Sequence, residues 1–256
     1  MANCFQILNT KMDEFMALEN PIPVSDLKMR CSLLTTMNLK ILKFVVGILV
    51  VASSLVVTAE SLPYYASEEF TPHWLGSNAE VQDDFHQIPS FSFINQDGKR
   101  ITDQSFENKI YVAGFFFSTC PGICPTIRSK LSMVQEKFIG NPDVQILQHS
   151  IQPTTDTVEV LKNYADAHGI KSETWHLVTG EKEEIYSLAK SAYFASEDLG
   201  SIQKSSDFLH TESLLLIDQN RHVRGVYNGL NTASVNYLMD DIQTLIAEMD
   251  AAVIGQ

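Results

Sequence analysis

Several features that would place this chain in a common class are missing from its sequence. It has no internal repeat, no low-complexity tract and no glycine-rich loop of the kind that binds nucleotide phosphates. Positive charge is also scarce, with 18 Lys and Arg against 31 Asp and Glu, which gives a formal net charge of −13. This excess of acid argues against a nucleic-acid-binding protein and against a surface that binds anionic lipids.

Cysteine is rare as well, with four residues in a chain of 256. Cys4 and Cys31 precede a long apolar segment, and Cys120 and Cys124 follow it. The later two can form one disulfide if their compartment is oxidising. A disulfide across four residues closes a very small loop and removes little entropy from the unfolded chain. A purely structural staple is therefore a weak explanation for this pair.

The long apolar segment covers residues 44–59 and carries no charge. With the residues around Lys43 it reaches the roughly 18–20 residues that span a bilayer. Basic residues precede it and glutamates follow it, so the positive-inside rule puts the N-terminus in the cytoplasm and the rest outside. Val57-Thr58-Ala59 also fits a signal-peptide cleavage site. A buried core helix is a third interpretation.

These patterns divide the chain into four parts. Residues 1–39 are expected to be a cytoplasmic tail or a start-site extension, and residues 40–59 a transmembrane anchor or a signal peptide. Residues 60–87 form a linker whose aromatic side chains need cover and therefore lie along the domain, and residues 88–256 form that domain. We expect a single pass through the cytoplasmic membrane, with the domain in the periplasm.

From residue 91 onwards, strand and helix patterns alternate. Strands are predicted at Phe91–Ile94, resuming at Ile101, and at Ile110–Phe117, Val144–Ile151, Trp175–Val178, Ser213–Ile217 and Val223–Tyr227. Helices are predicted at Pro125–Phe138, from Thr155 or Asp156 to about His168, at Glu181–Ala195 and from Ser234 to about Val253. This order predicts an α/β domain with a central mixed sheet flanked by helices, parallel in its middle and ending in an antiparallel hairpin.

The two later cysteines lie in a short loop between a buried strand and a helix. The strand pattern ends near Phe117, Cys120 and Cys124 follow, and the helix pattern begins at Pro125. Free backbone N–H groups and the helix dipole favour a thiolate at such a helix start. A thiolate is both a redox nucleophile and a soft metal ligand. The pair can therefore exchange electrons, hold a metal or staple the fold.

The sequence around these cysteines resembles the thioredoxin superfamily and, more specifically, the Sco/SenC family. The resemblance rests on Cys120-Pro-Gly-Ile-Cys124-Pro125 and on a later histidine that precedes a strand, in Asp207-Phe208-Leu209-His210-Thr211. It covers about residues 88–245. It implies a thioredoxin-like fold and a membrane-anchored copper chaperone that serves the dinuclear copper centre of cytochrome oxidase. The implied partners are a copper donor and cytochrome c oxidase subunit II or another copper-site protein.

The resemblance implies that copper is bound by Cys120, Cys124 and His210. Two thiolates and one imidazole form a soft set with few ligands, which suits Cu(I) and can hold Cu(II). A structural zinc site would need a fourth protein ligand. The three-residue spacer places the two sulfurs about one helical turn apart, so both can face one metal ion.

Two positions depart from the family pattern. Gly122 stands between the cysteines where the family commonly has an acidic residue, and Gln152 replaces the aspartate of a Ser-Val-Asp-Pro stretch. A nearby carboxylate that could tune the site is therefore missing. His149 stands beside that gap at the end of a strand, where it is either an alternative or outer ligand or a surface histidine.

Other functions remain open from the sequence alone. The pair could act as a thiol–disulfide oxidoreductase, with Cys120 as the nucleophile and Cys124 as the resolving thiol, or as a redox or copper sensor. The alternative interpretation of His210 is an ordinary loop histidine without a function. The remaining histidines are interpreted as structural: His73, His86, His168, His176 and His222.

Overall fold

The computed structural model describes residues 61–75, 85–195 and 212–254. Seven strands occur in these ranges: β1 Ser92–Asn95, β2 Arg100–Thr102, β3 Ile110–Phe116, β4 Val144–Ser150, β5 Trp175–Thr179, β6 Ser213–Ile217 and β7 Val223–Asn228. The helices are α1 Cys124–Phe138, α2 Val158–His168, α3 Lys182–Ser191 and α4 Thr232–Ile254, with a 3-10 helix at Asp103–Phe106. The described elements therefore follow the predicted order, with the 3-10 turn added.

The strands form one mixed sheet in the order β2-β1-β5-β4-β3-β6-β7. The three central strands β5, β4 and β3 are parallel to each other, and the outer strands pair antiparallel. The hairpins β1–β2 and β6–β7 form the two edges. The first hairpin turns at Gly98, whose φ of 72° lies in the left-handed region that glycine adopts without strain. The predicted mixed sheet is confirmed.

Helices cover both faces of the sheet, as consecutive residues of β3 show. Phe116 packs against Tyr164 of α2, whereas Phe115 packs against Tyr193, just after α3. Because neighbouring strand residues point to opposite faces, α2 and α3 lie on opposite sides. All seven residues of β3 are buried. The expectation that the phenylalanines after Gly114 belong to the core is confirmed, since each is at most 7% exposed.

Two helix boundaries differ from the predicted ones. Helix α2 is capped by Thr157, whose hydroxyl accepts from the backbone N–H of Val160, so neither Thr155 nor Asp156 is the cap. Helix α3 ends at Ser191 rather than at Ala195, because Phe194 adopts a φ of 53°, which an α-helix does not accommodate.

Residues 61–75 lie against the domain. Tyr65 donates its backbone N–H to the carbonyl of Val223, and Tyr64 and His73 pair with each other through their backbones. The side chain of Arg224 donates to the carbonyls of Leu62 and Pro63. In the described ranges no helix is long and apolar enough to cross a membrane, and the predicted segment 40–59 lies outside those ranges.

Candidate metal centre

The loop with the two cysteines leaves the sheet at the C-terminal end of its central strand β3. Phe116 ends that strand, and its carbonyl accepts from the backbone N–H of Ile151, just after the neighbouring strand β4. Cys120 donates its backbone N–H to the carbonyl of Phe117 at 3.2 Å, so the chain turns back immediately after the strand. The fold therefore brings the loop to the C-terminal ends of the parallel strands, which is where α/β sheets place their sites.

Helix α1 begins at Cys124 itself. Pro125 occupies the first turn, where its missing N–H costs nothing, and the preceding Ile123 offers no side chain to cap the helix. The backbone N–H groups at this end are therefore available to a nearby negative charge. The prediction that the thiols stand at a helix start is confirmed for Cys124.

The two cysteines are free thiols, and both are buried. Burial opposes ionisation of Cys120, but hydrogen bonds from the Cys124 thiol and from the backbone N–H groups of Gly122, Ile123 and Cys124 outweigh it. The pKa of Cys120 is therefore lowered. Burial raises the pKa of Cys124 to about 12, helped by its hydrogen bond to Cys120 and by the charge there. The interaction between the two thiols thus pushes their pKa values apart, and the two thiols differ in reactivity.

The two thiols therefore differ in how readily they lose a proton. Cys120 is the sulfur that ionises first, and its neighbour donates a hydrogen bond to it. Each thiol affects the ionisation of the other, so the pair fits a soft metal ion that replaces the proton between them. It equally fits a disulfide, since only three residues separate two free cysteines in one loop.

The third predicted ligand, His210, lies outside the described residues, so its relation to the thiols stays a prediction. Within the part of the chain that the structure describes, no cluster of three or more His, Cys, Asp and Glu side chains could hold a metal ion. The thiol pair is therefore the described portion of the predicted ligand set.

His149 is not a surface histidine, and that interpretation is wrong. Its ring is fully buried and packs against Phe91, Phe93, Phe115 and Tyr193. Neither ring nitrogen has a hydrogen-bond partner among the described residues. Burial lowers the pKa of His149 to about 4. The backbone of Gly114 acts in the opposite direction and raises this pKa, although it makes no hydrogen bond of normal geometry with the ring.

The other histidines of the described residues have local partners. His86 contacts the carbonyl of Ala192 at 2.9 Å, and His176 contacts Asn95 at 3.4 Å. His168 accepts from Arg128, His73 packs on Phe85, and His222 packs on Tyr64 and Phe85 beside Asp218. These contacts agree with structural roles.

The sequence missed one carboxylate next to the cysteine loop. Asp156 is fully buried and accepts hydrogen bonds from Ser118, two residues before Cys120, and from Ser150 at the end of β4. The expectation that a nearby carboxylate is absent is therefore wrong for the site as a whole. The only sequence signal was a serine at or shortly after the end of each of two neighbouring strands, and an aspartate before a helix pattern looks like an ordinary cap.

The two positions that depart from the family pattern differ in their surroundings. Gly122 is exposed, and a Cβ atom built there would meet no other atom within 4 Å. Gln152 donates its backbone N–H to the hydroxyl of Ser150, and its carbonyl closes the turn that leads to Asp156. A carboxylate at position 122 is therefore sterically allowed, although this chain does not have one.

Comparison with known proteins identifies the family. The SCO1/SenC family model matches residues 79–247. The chain belongs to the SCO1/SenC family. A SCO1 protein homolog from Bacillus subtilis (strain 168) is 27% identical over 164 residues, 62% of this chain and 82% of that protein. Protein SCO1 homolog 1, mitochondrial, from Arabidopsis thaliana is 32% identical over 130 residues, 49% of this chain and 37% of that protein. This SCO1/SenC chain thus spans well under half of that mitochondrial relative.

Solved structures of the same family share its fold. BsSco, described as a member of the Sco family of cytochrome c oxidase assembly proteins with a disulfide switch, superposes with a TM-score of 0.54 at 25% identity. That match covers 65% of this chain and 98% of that chain. Arabidopsis thaliana ScoI, solved with copper bound, gives a TM-score of 0.50 at 28% identity, with 62% and 98% covered. The thioredoxin-like fold expected from the cysteine motif is thereby confirmed.

Proposed function

We propose that this SCO1/SenC chain binds one copper ion through Cys120, Cys124 and His210 and passes it to the dinuclear copper centre of cytochrome c oxidase. The observation that carries the proposal is the pair of buried, free thiols between the end of β3 and the start of α1, of which Cys120 has a lowered pKa. The copper-bound relative and the oxidase-assembly relative supply the metal and the acceptor.

The donor set explains the choice of metal. Two thiolates and one imidazole favour a soft ion in a site with few ligands, and Cu(I) accepts such sites whereas Zn²⁺ prefers four protein ligands. A site with three protein ligands also leaves a position at which the thiolates or imidazoles of an acceptor can begin an exchange. Copper is therefore treated as cargo, loaded by a donor protein and released to subunit II or another copper-site protein.

The setting of this reaction is part of the proposal. Residues 40–59 anchor the chain in the cytoplasmic membrane or direct its export, and the domain works in the periplasm. The formal charge of −13 falls mainly on the domain, because 13 Lys and Arg and 27 Asp and Glu follow residue 43. An acidic domain suits basic donor and acceptor surfaces and is repelled by anionic lipid.

The direct test uses the full chain carrying Cys4→Ser and Cys31→Ser, which we call the parent protein. After reduction, it should bind one copper per chain, and adding Cys120→Ser or Cys124→Ser should abolish tight binding. The copper-loaded parent should then transfer its metal to the reduced copper-site domain of oxidase subunit II, followed by the acceptor's absorption spectrum. Binding without any transfer would leave a copper-binding protein that is not a delivery chaperone.

One observation favours a second function, that of a thiol–disulfide oxidoreductase. A lowered pKa at Cys120 beside a raised pKa at Cys124 is the division expected between an attacking and a resolving thiol. In that reaction the Cys120 thiolate attacks a partner disulfide to form a mixed disulfide, and Cys124, after losing its proton, displaces the partner thiolate. Two electrons pass to the partner, which leaves as a dithiol, while Cys120 and Cys124 become a disulfide.

Thiol counting tests this second function. The parent protein should take up two alkylating groups after mild reduction and none after oxidation. Two thiols that stay unreactive in the folded reduced protein would instead indicate buried, inert cysteines. Reduction of the oxidised subunit II cysteines by the reduced parent, in the absence of copper, would show the exchange directly.

A further inference from the structure

A buried carboxylate joins the cysteine loop to the neighbouring strand. Asp156 is fully buried, and the backbone N–H of Ser118 lies 3.1 and 3.3 Å from its two oxygens. The hydroxyl of Ser118 donates to Oδ1, and the hydroxyl of Ser150 donates to Oδ2 at 2.5 Å. Three donors therefore converge on one carboxylate. We call Ser118, Ser150 and Asp156 the brace.

The brace ties together three pieces of backbone that meet at the thiols. Ser118 follows the end of β3 and precedes Cys120 by two residues, Ser150 is the last residue of β4, and Asp156 precedes the Thr157 cap of α2. The turn that holds Asp156 is itself closed, because its backbone N–H donates to the carbonyl of Gln152 at 2.8 Å. The path of the chain from β3 to Cys120 is therefore fixed from one side.

A carboxylate suits this position better than other side chains. Each of its two oxygens accepts more than one hydrogen bond, so it satisfies the backbone N–H and both hydroxyls at once. An amide offers one acceptor oxygen, and its NH2 group faces a hydroxyl that must turn round to accept. An unpaired donor buried here would cost free energy, so loss of the carboxylate should let the loop rearrange.

The brace reaches the thiols only through the backbone. Asp156 does not contact either sulfur through any hydrogen bond of the structure's described residues, so it acts on them through the backbone of Ser118.

We propose that Asp156 is a positioning residue for the thiol pair: through Ser118 it fixes the start of the loop that carries Cys120 and Cys124. The part of this proposal that concerns copper uptake by the two sulfurs rests on the proposed function. The proposal also extends to the metal-free protein, because the hydrogen bonds of the brace hold the loop without any metal.

The test compares Asp156→Asn, Asp156→Ala and Ser118→Ala in the parent protein with a matched control. Asp218→Asn is that control, since Asp218 is also a buried carboxylate that accepts backbone N–H groups, from Asn220 and His222. It stands after β6, at the end of the sheet opposite the cysteines. Copper affinity, the alkylation rates of the two thiols and the free energy of unfolding are measured for each protein.

We expect Asp156→Asn to weaken copper binding about tenfold or more, as loss of outer-sphere support commonly does, with Asp156→Ala worse and Ser118→Ala milder. The preference of alkylation for Cys120 over Cys124 should shrink in the same order in the metal-free protein. Asp218→Asn should lower stability yet leave both copper affinity and the alkylation preference at parental values. The double variant Ser118→Ala/Asp156→Asn should lose less than the sum of the two single losses.

Parental copper affinity and alkylation preference in folded Asp156→Asn would overturn the proposal. So would equal losses in Asp156→Asn and Asp218→Asn, because the effect would then follow global stability. If Asp156→Ala fails to fold, Asp156→Asn and Ser118→Ala decide the matter. A parent protein that binds no copper at all refutes the proposed function instead, and the alkylation preference then still tests the brace.

Discussion

The guanidinium of Arg224 lies 4.0 Å from the centre of the Tyr64 ring, and it is 3% exposed. It also pairs with Asp218 at 3.2 Å and with Glu248 at 3.1 Å, while Glu248 accepts the backbone N–H of Leu62. The buried Arg224 thus holds residues 62–64, which precede the sheet, against the domain. We call Arg224, Asp218 and Glu248 the clamp. The clamp stands near the start of β3, because β6 runs antiparallel to that strand and places Asp218 there. The cysteines stand at the other end.

The first prediction concerns this clamp. Arg224→Met should destabilise the domain by about 3–5 kcal/mol, because it leaves the buried carboxylate of Asp218 without its cation. Limited proteolysis should also become faster near Tyr64 and Tyr65. Chemical denaturation and protease digestion of the parent and variant proteins measure the two effects.

The control for the clamp is Arg221→Met, three residues away. Arg221 pairs with Asp103 at 3.2 Å, but that pair is partly exposed and should contribute under about 1 kcal/mol. Equal destabilisation by the two substitutions would contradict this prediction. It would show that the burial of Arg224 and its contacts to residues 62–64 add no stability beyond that of a partly exposed ion pair.

The second prediction concerns the dependence of stability on pH. His149 has a pKa lowered by burial to about 4, against about 6.5 in the unfolded chain. The unfolded state therefore binds the extra proton first, and the free energy of unfolding should fall as the pH drops from about 6.5 towards about 4. The full loss from this residue is about 3 kcal/mol.

His149→Leu identifies the residue responsible, because leucine fits among the rings of Phe91, Phe93, Phe115 and Tyr193 without a titrating group. The variant should show a shallower decline over the same pH range. His176, whose pKa burial also lowers to about 4, supplies part of the remaining slope. An unchanged slope in His149→Leu would contradict the assignment.

The sequence was sufficient to predict the strands, the helices and the place of the thiol pair between a strand and a helix, because each depends on local patterns. The apolar run of β3 and the helix start at Cys124 are examples. The surroundings of His149 were not predictable, since they depend on the register that pairs it with Phe115. Asp156 was interpreted as a possible helix cap for the same reason: only the tertiary fold brings Ser118 and Ser150 to it.

The third prediction uses the open space at Gly122. Gly122→Asp should fold normally, because a Cβ there meets no atom within 4 Å. The added carboxylate lies two residues after Cys120 in the chain and should raise the pKa of that thiol, because its negative charge opposes ionisation of the sulfur. Alkylation of Cys120 at neutral pH should then slow several-fold relative to the parent.

Gly122→Asn separates charge from bulk in this experiment, because its side chain has nearly the same shape and no charge. It should leave the alkylation rate of Cys120 close to that of the parent protein. If Asn and Asp slow the reaction equally, the effect comes from the backbone at position 122 and not from electrostatics.

The fourth prediction concerns topology. If residues 40–59 anchor or export the chain, a reporter fused after Ser90 that works only outside the cytoplasm should be active. Placing two arginines within the apolar run 44–59 should abolish that activity, because each costs several kcal/mol in the bilayer core. An inactive reporter at normal expression, without the arginines, would contradict the proposed location.

The central claim, that this chain is a copper carrier that uses a histidine as well as two thiols, is tested most directly by copper affinity in His210→Ala. Copper needs all three ligands at once, whereas disulfide exchange needs only Cys120 and Cys124. The account predicts that the variant loses copper affinity by orders of magnitude while still forming the Cys120–Cys124 disulfide. A variant that binds one copper as tightly as the parent protein would contradict it and favour the oxidoreductase.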